Sequence, residues 1–318
     1  MNRIAKYSAL LALVVSNLFA QNSNCKEQSM IVGALDAKGA PVKNLVAGDF
    51  KLFSGGRSVT VQSCQYREDQ GRVVVLLDTS GSMRDSSGSN KWRIARAIVF
   101  DFVSSAPPKM QVSFATFADT VQNRFDASGG RQLIIDWLDS APVKEGQVAK
   151  GTTALNEAIL TATSALSPSQ PGDAIYVITD GLDDFSKAKS SQIERLLQHS
   201  GVRLFVFLLF DRLAAAVGGT DPKDLEQLAR RSGGFLVSLD GHPNPFGGTS
   251  YVWDDEVEKS LRALTRLMQV QMTSFYVLSI AGGETVSKAK DWRLDVVDPK
   301  GRKRKGLTLA YQVPGCAP

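Results

Sequence analysis

The sequence predicts an α/β protein in which a doubly wound, mostly parallel sheet is flanked by small amino-terminal and carboxy-terminal β segments. Between residues 71 and 272, apolar runs of strand length alternate with segments whose apolar residues repeat at helical spacing. Residues 29–65 and 275–313 carry only short strand patterns, separated by turn residues such as Gly55 and Gly56. Oxygen-bearing side chains directly follow two of the buried strands, at the edge of such a sheet where ligands bind.

The central region is predicted to contain five strands and six helices. Residues 73–77 form a continuous apolar run, which is typical of a strand buried on both faces. Residues 92–104 place Ile94, Ile98 and Phe102 along one helical stripe. The same patterns predict further strands over 110–117, 174–179, 202–210 and 235–239, and further helices over 131–138, 153–166, 191–198, 221–231 and 254–272.

The two flanks each hold too few strands to bury a sheet face alone, so we expect them to pack together beside the central domain. Polar residues 65–72 suit a linker between the first flank and that domain. Short strands are predicted over 30–32, 49–53 and 59–61, and again over 275–280, 292–297 and 307–313. The predicted segments of the chain are 1–20, 21–70, 71–272 and 273–318.

One basic segment, residues 300–305, lies between the last two predicted strands. Such a run can bind nucleic acid or an acidic lipid surface, but it follows the turn residues Asp298 and Pro299 and is better explained as a solvated hairpin tip. The formal net charge of +5 is too small to indicate a nucleic-acid partner. A hydrophobic content of 43% excludes a disordered chain.

The first twenty residues predict a secretory signal peptide. Arg3 and Lys6 precede the apolar run 9–15, and the small Ala20 offers a cleavage point. A membrane anchor is the alternative, but the apolar run is shorter than the ~20 residues that a spanning helix needs. We therefore expect a mature chain without a transmembrane segment, exported to the periplasm or secreted.

Three cysteines, Cys25, Cys64 and Cys316, stay in the mature chain, and all lie outside the central domain. An oxidising compartment permits one disulfide bond with one thiol left over. The alternative is that all three are free thiols. The sequence does not choose among the three pairings.

A constellation of oxygen donors indicates a metal centre. Asp78, Ser80 and Ser82 alternate just past the first buried strand, so they can turn three oxygens toward one point. A threonine of Gly151-Thr152-Thr153 opens a helix with a hydroxyl free to face the same edge, and Asp180 stands at the end of another apolar strand. Because these donors are hard oxygens without histidine or cysteine, they favour Mg²⁺, Mn²⁺ or Ca²⁺ over zinc.

The pattern Asp78-x-Ser80-x-Ser82, with Thr153 and Asp180, resembles the metal-ion-dependent adhesion site of von Willebrand factor A domains. The order of strands and helices is similar as well, over about residues 71–272, which implies a Rossmann-like domain. The resemblance implies that the hydroxyls of the two serines and Thr153 coordinate the ion, directly or through water. The resemblance also implies that both aspartates coordinate the ion, Asp180 often through water. Mg²⁺ is the expected ion.

Two further features bear on this resemblance. Thr153 is preferred to Thr152 because Gly-Thr-Thr-Ala-Leu is aligned with the Gly-Gly-Thr pattern of the family. The flanks are similar to those of bacterial exported proteins related to von Willebrand factor A. This similarity rests on turn residues and short strands alone. The resemblance therefore implies an exported adhesion module.

The expected partner is a protein that presents an Asp or Glu. Two carboxylates leave a divalent ion under-neutralised, so a partner carboxylate can complete its charge and its coordination. Residues 84–90, 183–187 and 212–220 follow strands at the same edge and are predicted to frame the site, the alternative being plain solvated connections. The sequence identifies neither the partner nor the oligomeric state.

Two other functions compete with this prediction. A hydrolase would need a nucleophile and a base, but the two histidines, His199 and His242, are explained as structural or solvated residues, so no catalytic residue is predicted. A scaffold that keeps the fold without using the metal is the second alternative. It does not explain why five positions should be two aspartates and three hydroxyls.

Overall fold

The computed structural model describes residues 27–68, 71–84, 90–144, 146–183, 185–210, 222–243, 249–281, 292–313 and 315–316. The predicted signal peptide and Cys25 lie outside these residues. No helix in the described part of the chain is long and apolar enough to cross a membrane.

The strands are numbered here in chain order. They are β1 (Glu27–Leu35), β2 (Phe50–Ser54), β3 (Arg57–Val59), β4 (Val61–Arg67), β5 (Gly71–Asp78), β6 (Met110–Phe117), β7 (Val121–Phe125), β8 (Ala174–Thr179), β9 (Arg203–Phe210), β10 (Leu236–Asp240), β11 (His242–Pro243), β12 (Thr249–Ser250), β13 (Phe275–Ala281), β14 (Trp292–Val296), β15 (Thr308–Tyr311) and β16 (Gly315–Cys316). The α-helices are α1 (Lys91–Ser105), α2 (Arg131–Asp139), α3 (Ala141–Lys144), α4 (Leu155–Ala165), α5 (Ser190–Ser200), α6 (Pro222–Arg231) and α7 (Asp255–Thr273).

A six-stranded sheet in the order β10-β9-β8-β5-β6-β7 forms the centre of the protein. Strands β10, β9, β8, β5 and β6 pair in parallel, and β7 pairs with β6 in the antiparallel sense. Because the chain moves from β5 to β6 on one side and later to β8 on the other, the strand order reverses beside β5. Ligands bind at such a point in open α/β sheets.

Helices cover both faces of this sheet, as a doubly wound fold requires. On one face Trp92 and Phe102 of α1 pack with Met268 of α7. On the other face Ile159 of α4 packs with Ile193 of α5. The predicted fold class is therefore confirmed.

The strands of the two flanks pair with each other. Strand β13 lies between β1 and β4 in a sheet of order β15-β1-β13-β4, and β16 also pairs with β1. Strands β14, β2 and β3 form a second small sheet. Side chains such as Met30, Leu52 and Leu294 share one apolar core. The expected packing of the two terminal segments against one another is thus present.

The structure differs from the sequence prediction at two edge strands. Residues 65–72 are not a linker, because β4 continues to Arg67 and β5 already begins at Gly71. Strand β4 lies at the edge of its sheet, and several of its side chains are exposed, which explains its linker-like composition. The short strand β7 was not predicted, since three of its five side chains are exposed and polar.

The basic segment is an exposed turn. Val297 bridges to Lys303, and the carboxylate of Asp298 accepts hydrogen bonds from the backbone N–H groups of Lys300 and Arg302. Lys303 also forms an ion pair with Asp295 at 2.7 Å. These contacts agree with the solvated tip rather than with a free binding patch.

Arg203 joins the central sheet to the flanking strands. This buried guanidinium donates hydrogen bonds to the backbone oxygens of Gln271, Met272 and Gly172 at 2.9, 2.6 and 3.0 Å. It also lies 4.7 Å from the ring centroid of Phe275, the first residue of β13. The end of α7 and the start of β13 are thereby held against the central sheet.

Cys64 is a free thiol, so the two possible pairings that use it are absent. Its side chain is half-buried, and burial together with the charge of Asp49 raises its pKa to about 11. The third pairing, between Cys25 and Cys316, includes a residue outside the described part of the chain.

Candidate metal centre

The candidate site lies where β5 and β8 end side by side. Val73 to Leu77 of β5 pair in parallel with the β8 residues from Ala174 to Ile178. Asp78 is the last residue of β5, and Asp180 follows the last residue of β8. Because the two strands are neighbours in parallel, their terminal aspartates emerge at the same edge, where the strand order reverses.

Asp78 is fully buried, and both oxygens of its carboxylate accept hydrogen bonds. The backbone N–H of Ser80 donates to Oδ1 at 2.8 Å, and the hydroxyl of Thr179 donates to Oδ2 at 2.6 Å. Thr179 is the last residue of β8, so this bond connects the ends of the two strands. The carboxylate is therefore held in one orientation.

The hydroxyls of Ser80 and Ser82 face each other. Their Oγ atoms lie 3.0 Å apart, and either hydroxyl can donate. The turn Gly81–Met83 is one short 3₁₀ helix, which brings the second serine back toward the first. The predicted convergence of these two hydroxyls is present in the structure.

Thr153 lies in a neighbouring loop that is bonded to the Asp78 loop. The backbone N–H of Lys150 donates to the oxygen of Thr79 at 2.8 Å, and that of Gly81 donates to the oxygen of Gly151 at 2.9 Å. Thr153 itself is buried, whereas Thr152 is exposed. The loop that carries Thr153 is thus fixed beside Asp78, Ser80 and Ser82.

Asp180 contacts a lysine that the sequence did not single out. The ammonium of Lys91 lies 3.1 Å from Oδ2 of Asp180 and donates to the backbone oxygen of Ser82 at 2.9 Å. The other oxygen of Asp180 accepts a hydrogen bond from the N–H of Leu182. Both charged side chains are buried. Lys91 is therefore part of this cluster.

The electrostatics of the cluster are set by burial. Burial, together with the nearby negative charge of Asp180, raises the pKa of Asp78 to about 7, although the hydrogen bonds from Thr179 and Ser80 act to lower it. A raised pKa means that the charged form of the carboxyl is stabilised less in the protein than it is in water. A cation at this place would restore that stabilisation.

The chemistry of the donors fits a hard divalent cation. Two carboxylates and hydroxyl oxygens from three loops are the ligand types that Mg²⁺ and Mn²⁺ take in proteins. No group of three or more His, Cys, Asp or Glu side chains comes together in the described part of the chain. The hydroxyls would therefore have to supply the rest of a coordination shell.

A half-exposed aromatic residue, Phe185, lies on the rim of the site. The backbone N–H of Phe185 donates to the oxygen of Thr153 at 3.0 Å, while half of the Phe185 side chain is exposed. Glu157 holds the same loop, because its Oε1 accepts from the N–H groups of Lys187 and Ala188. Parts of the predicted rim loops lie outside the described residues, namely 85–89, 184 and 212–220.

Two residues of the cluster had no role in the sequence prediction. Thr179 belongs to the Thr-Asp-Gly segment, and a hydroxyl directly before a strand-end aspartate was the available signal. Lys91 is the first residue of an amphipathic helix, where a lysine is usually solvated, so the sequence offers no signal for its burial.

Residues 73–182 match the family profile of the von Willebrand factor type A domain. This chain contains a von Willebrand factor type A domain. The matched residues include all five predicted metal ligands, from Asp78 to Asp180. No curated protein matches the chain.

The fold is also similar to solved structures at low sequence identity. BatB from Bacteroides thetaiotaomicron is 18% identical with a TM-score of 0.43, over 62% of this chain and 98% of that protein. An aerotolerance-related membrane protein from Bacteroides fragilis is 16% identical with a TM-score of 0.45, over 63% and 98%. A von Willebrand factor type A protein from Catenulispora acidiphila is 12% identical with a TM-score of 0.45, over 92% and 75%.

Proposed function

We propose that this protein is an exported protein-binding module that captures an acidic residue of its partner through a divalent metal ion. The observation that carries the proposal is the pair of buried carboxylates, Asp78 and Asp180, at the reversal point of the sheet. Serine and threonine hydroxyls lie on the adjoining loops. Lys91 offsets one of these two buried negative charges, and the other is costly without a further cation.

Each residue of the cluster has a proposed role in metal binding. The proposed ligands of the ion are Asp78, Ser80, Ser82, Thr153 and Asp180. Mg²⁺ is the expected metal, and Mn²⁺ and Ca²⁺ are the alternatives. When bound, the ion supplies positive charge that attracts a carboxylate. The hydrogen bonds from Thr179 and the Ser80 N–H hold the Asp78 carboxylate in one orientation before an ion binds.

Two features support a binding role over hydrolysis. His199 lies in the last turn of α5, which leads to the amino end of β9, at the edge of the sheet opposite Asp78. His242 lies in a two-residue strand that pairs with β12. Neither histidine contacts Ser80 or Ser82 in the described residues. Export follows from the predicted signal peptide and belongs to the same proposal.

A metal-independent scaffold is the second candidate, and one contact favours it. The ammonium of Lys91 already gives Asp180 a positive partner at 3.1 Å. A module of that kind would keep its fold and its partners when divalent ions are removed. The two candidates therefore differ in their response to a chelator and to the loss of a single hydroxyl.

We expect Thr153→Ala to weaken Mn²⁺ or Mg²⁺ binding by about 10- to 100-fold without changing the fold. The substitution removes one neutral ligand, so the net charge and the long-range field are unchanged. Calorimetric titration of the purified chain measures the effect. Thr152→Ala removes the neighbouring exposed hydroxyl and serves as the control, for which we expect the parent affinity.

The same variants test the link between metal and partner. Immobilised parent and Thr153→Ala protein are exposed to the exported protein fraction, each with Mg²⁺ and with EDTA. We expect ion-dependent capture by the parent and weaker capture by Thr153→Ala. Equal capture in all four conditions would support the scaffold and leave the metal site without a role in recognition.

Phe185 is expected to contribute to the partner contact. Its exposed ring sits on a loop held by Glu157, so it offers apolar area at little entropic cost. Phe185→Ser should leave Mn²⁺ affinity unchanged and weaken ion-dependent capture by about 5- to 30-fold. Leu133→Ser changes a similarly exposed residue on α2 and should not affect capture. Equal losses for both variants would contradict a rim-specific contact.

A further inference from the structure

The candidate metal centre contains a positive charge of its own. Lys91 is the first residue of α1, and only 5% of it is exposed. Its ammonium lies between Oδ2 of Asp180 and the backbone oxygen of Ser82, at 3.1 and 2.9 Å. It is therefore anchored both to a predicted ligand and to the loop that carries two others.

This position has consequences for the charge of the site. Asp78 and Asp180 contribute two negative charges, and the ion pair with Lys91 offsets one of them. Charges interact more strongly in a buried site than in water, because the surroundings screen them less. A divalent ion that approaches Asp180 must then share its carboxylate with the ammonium and overcome the repulsion from it.

We propose that Lys91 sets the affinity of the site for its divalent ion by neutralising Asp180. This inference rests on the proposed metal-binding function. The ammonium keeps Asp180 satisfied when no metal is bound, and it holds the affinity for metal below that of an otherwise identical site without the lysine. The site therefore exchanges its ion readily, and Lys91 is a positioning and affinity-determining residue rather than a ligand.

A purely structural role for Lys91 makes a different prediction. If the ammonium only offsets a buried carboxylate that never meets the ion, its removal should destabilise the protein and leave the metal affinity unchanged. If it competes with the ion, its removal should tighten metal binding. Ion affinity separates the two roles, whereas stability alone does not.

The experiment is a Mn²⁺ titration of the full chain by calorimetry, with the Mn²⁺-induced shift in melting temperature as a second readout. Lys91→Met keeps the apolar stem and removes the charge, and Lys91→Arg keeps the charge. Lys109→Met removes an exposed lysine at the opposite edge of the sheet. Lys91→Gln, which keeps a donor without the charge, replaces the methionine variant if that variant does not fold.

We expect Lys91→Met to bind Mn²⁺ at least about 10-fold more tightly than the parent and to show a larger melting shift with Mn²⁺. Lys91→Arg and Lys109→Met should stay within about threefold of the parent. If the parent binds Mn²⁺ and Lys91→Met binds it equally or more weakly, the role of Lys91 would be overturned and the metal-binding function would stand. Binding by Lys91→Met but not by the parent would support it and overturn the metal-dependent function. Binding by none of the four proteins would overturn both.

Discussion

Asp78→Asn is expected to abolish divalent-ion binding while stabilising the metal-free protein. The fully buried carboxylate is the charge most central to the site, and its burial beside Asp180 raises its pKa to about 7. Asn keeps an oxygen that can accept the hydrogen bond from the Ser80 N–H. The substitution therefore removes the ion's main negative ligand together with an unfavourable buried charge.

The loss of ion affinity and the gain in stability of the metal-free protein can be measured separately. We expect at least an about 100-fold loss of Mn²⁺ or Mg²⁺ affinity by calorimetry, more than changes outside the coordination shell produce. Urea unfolding in EDTA should show a free energy of unfolding higher by roughly 1–3 kcal/mol. Asp136→Asn removes an exposed charge on α2 and should change neither quantity. An unchanged ion affinity in Asp78→Asn would remove the basis of the metal centre.

The pH dependence of stability gives an independent check on Asp78. Its folded-state pKa lies above the value of about 4 for a free carboxyl, so the folded protein binds the extra proton more tightly than the unfolded chain does. The metal-free protein should therefore lose stability as the pH rises from about 4 to about 7. Asp78→Asn should lack this contribution, so the difference between the two proteins should grow toward neutral pH.

Deletion of residues 275–318 is expected to make the protein aggregate. Strand β13 lies between β1 and β4, and β14 pairs with β2, so the truncated chain leaves the amino-terminal strands without their sheet. Met30, Val32 and Leu52 are fully buried against these strands. Each would forfeit roughly 1.5–3 kcal/mol of burial and expose an apolar strand edge.

Light scattering and size-exclusion chromatography measure this result. The control chain carries Lys300, Arg304 and Lys305 replaced by Ser in the exposed turn, and we expect it to stay monodisperse and to unfold as the parent does. A soluble, monomeric truncation with unchanged amino-terminal strands would show that the two flanks fold independently.

The buried strands and amphipathic helices could be predicted because their local patterns are strong. The strands β6 and β8 match the predicted ranges, since their apolar runs end at turn residues. Strands β4 and β7 lie at sheet edges and expose many side chains, so their composition resembles that of a loop. What distinguishes such a strand is its backbone pairing with a neighbour, which no local pattern contains.

The same distinction holds at the candidate site. The alternation of Asp78, Ser80 and Ser82 is local, so the sequence by itself determined that these oxygens follow a buried strand. Local patterns also indicated Asp180 and a threonine hydroxyl, and the family resemblance selected Thr153 over Thr152. The pairing of β5 with β8 decided that Asp78 and Asp180 meet, and it also brought Thr179 onto the Asp78 carboxylate. Only the tertiary structure could bury Lys91 against Asp180, because a charge at a helix start is solvated unless a distant carboxylate and carbonyl are brought to it.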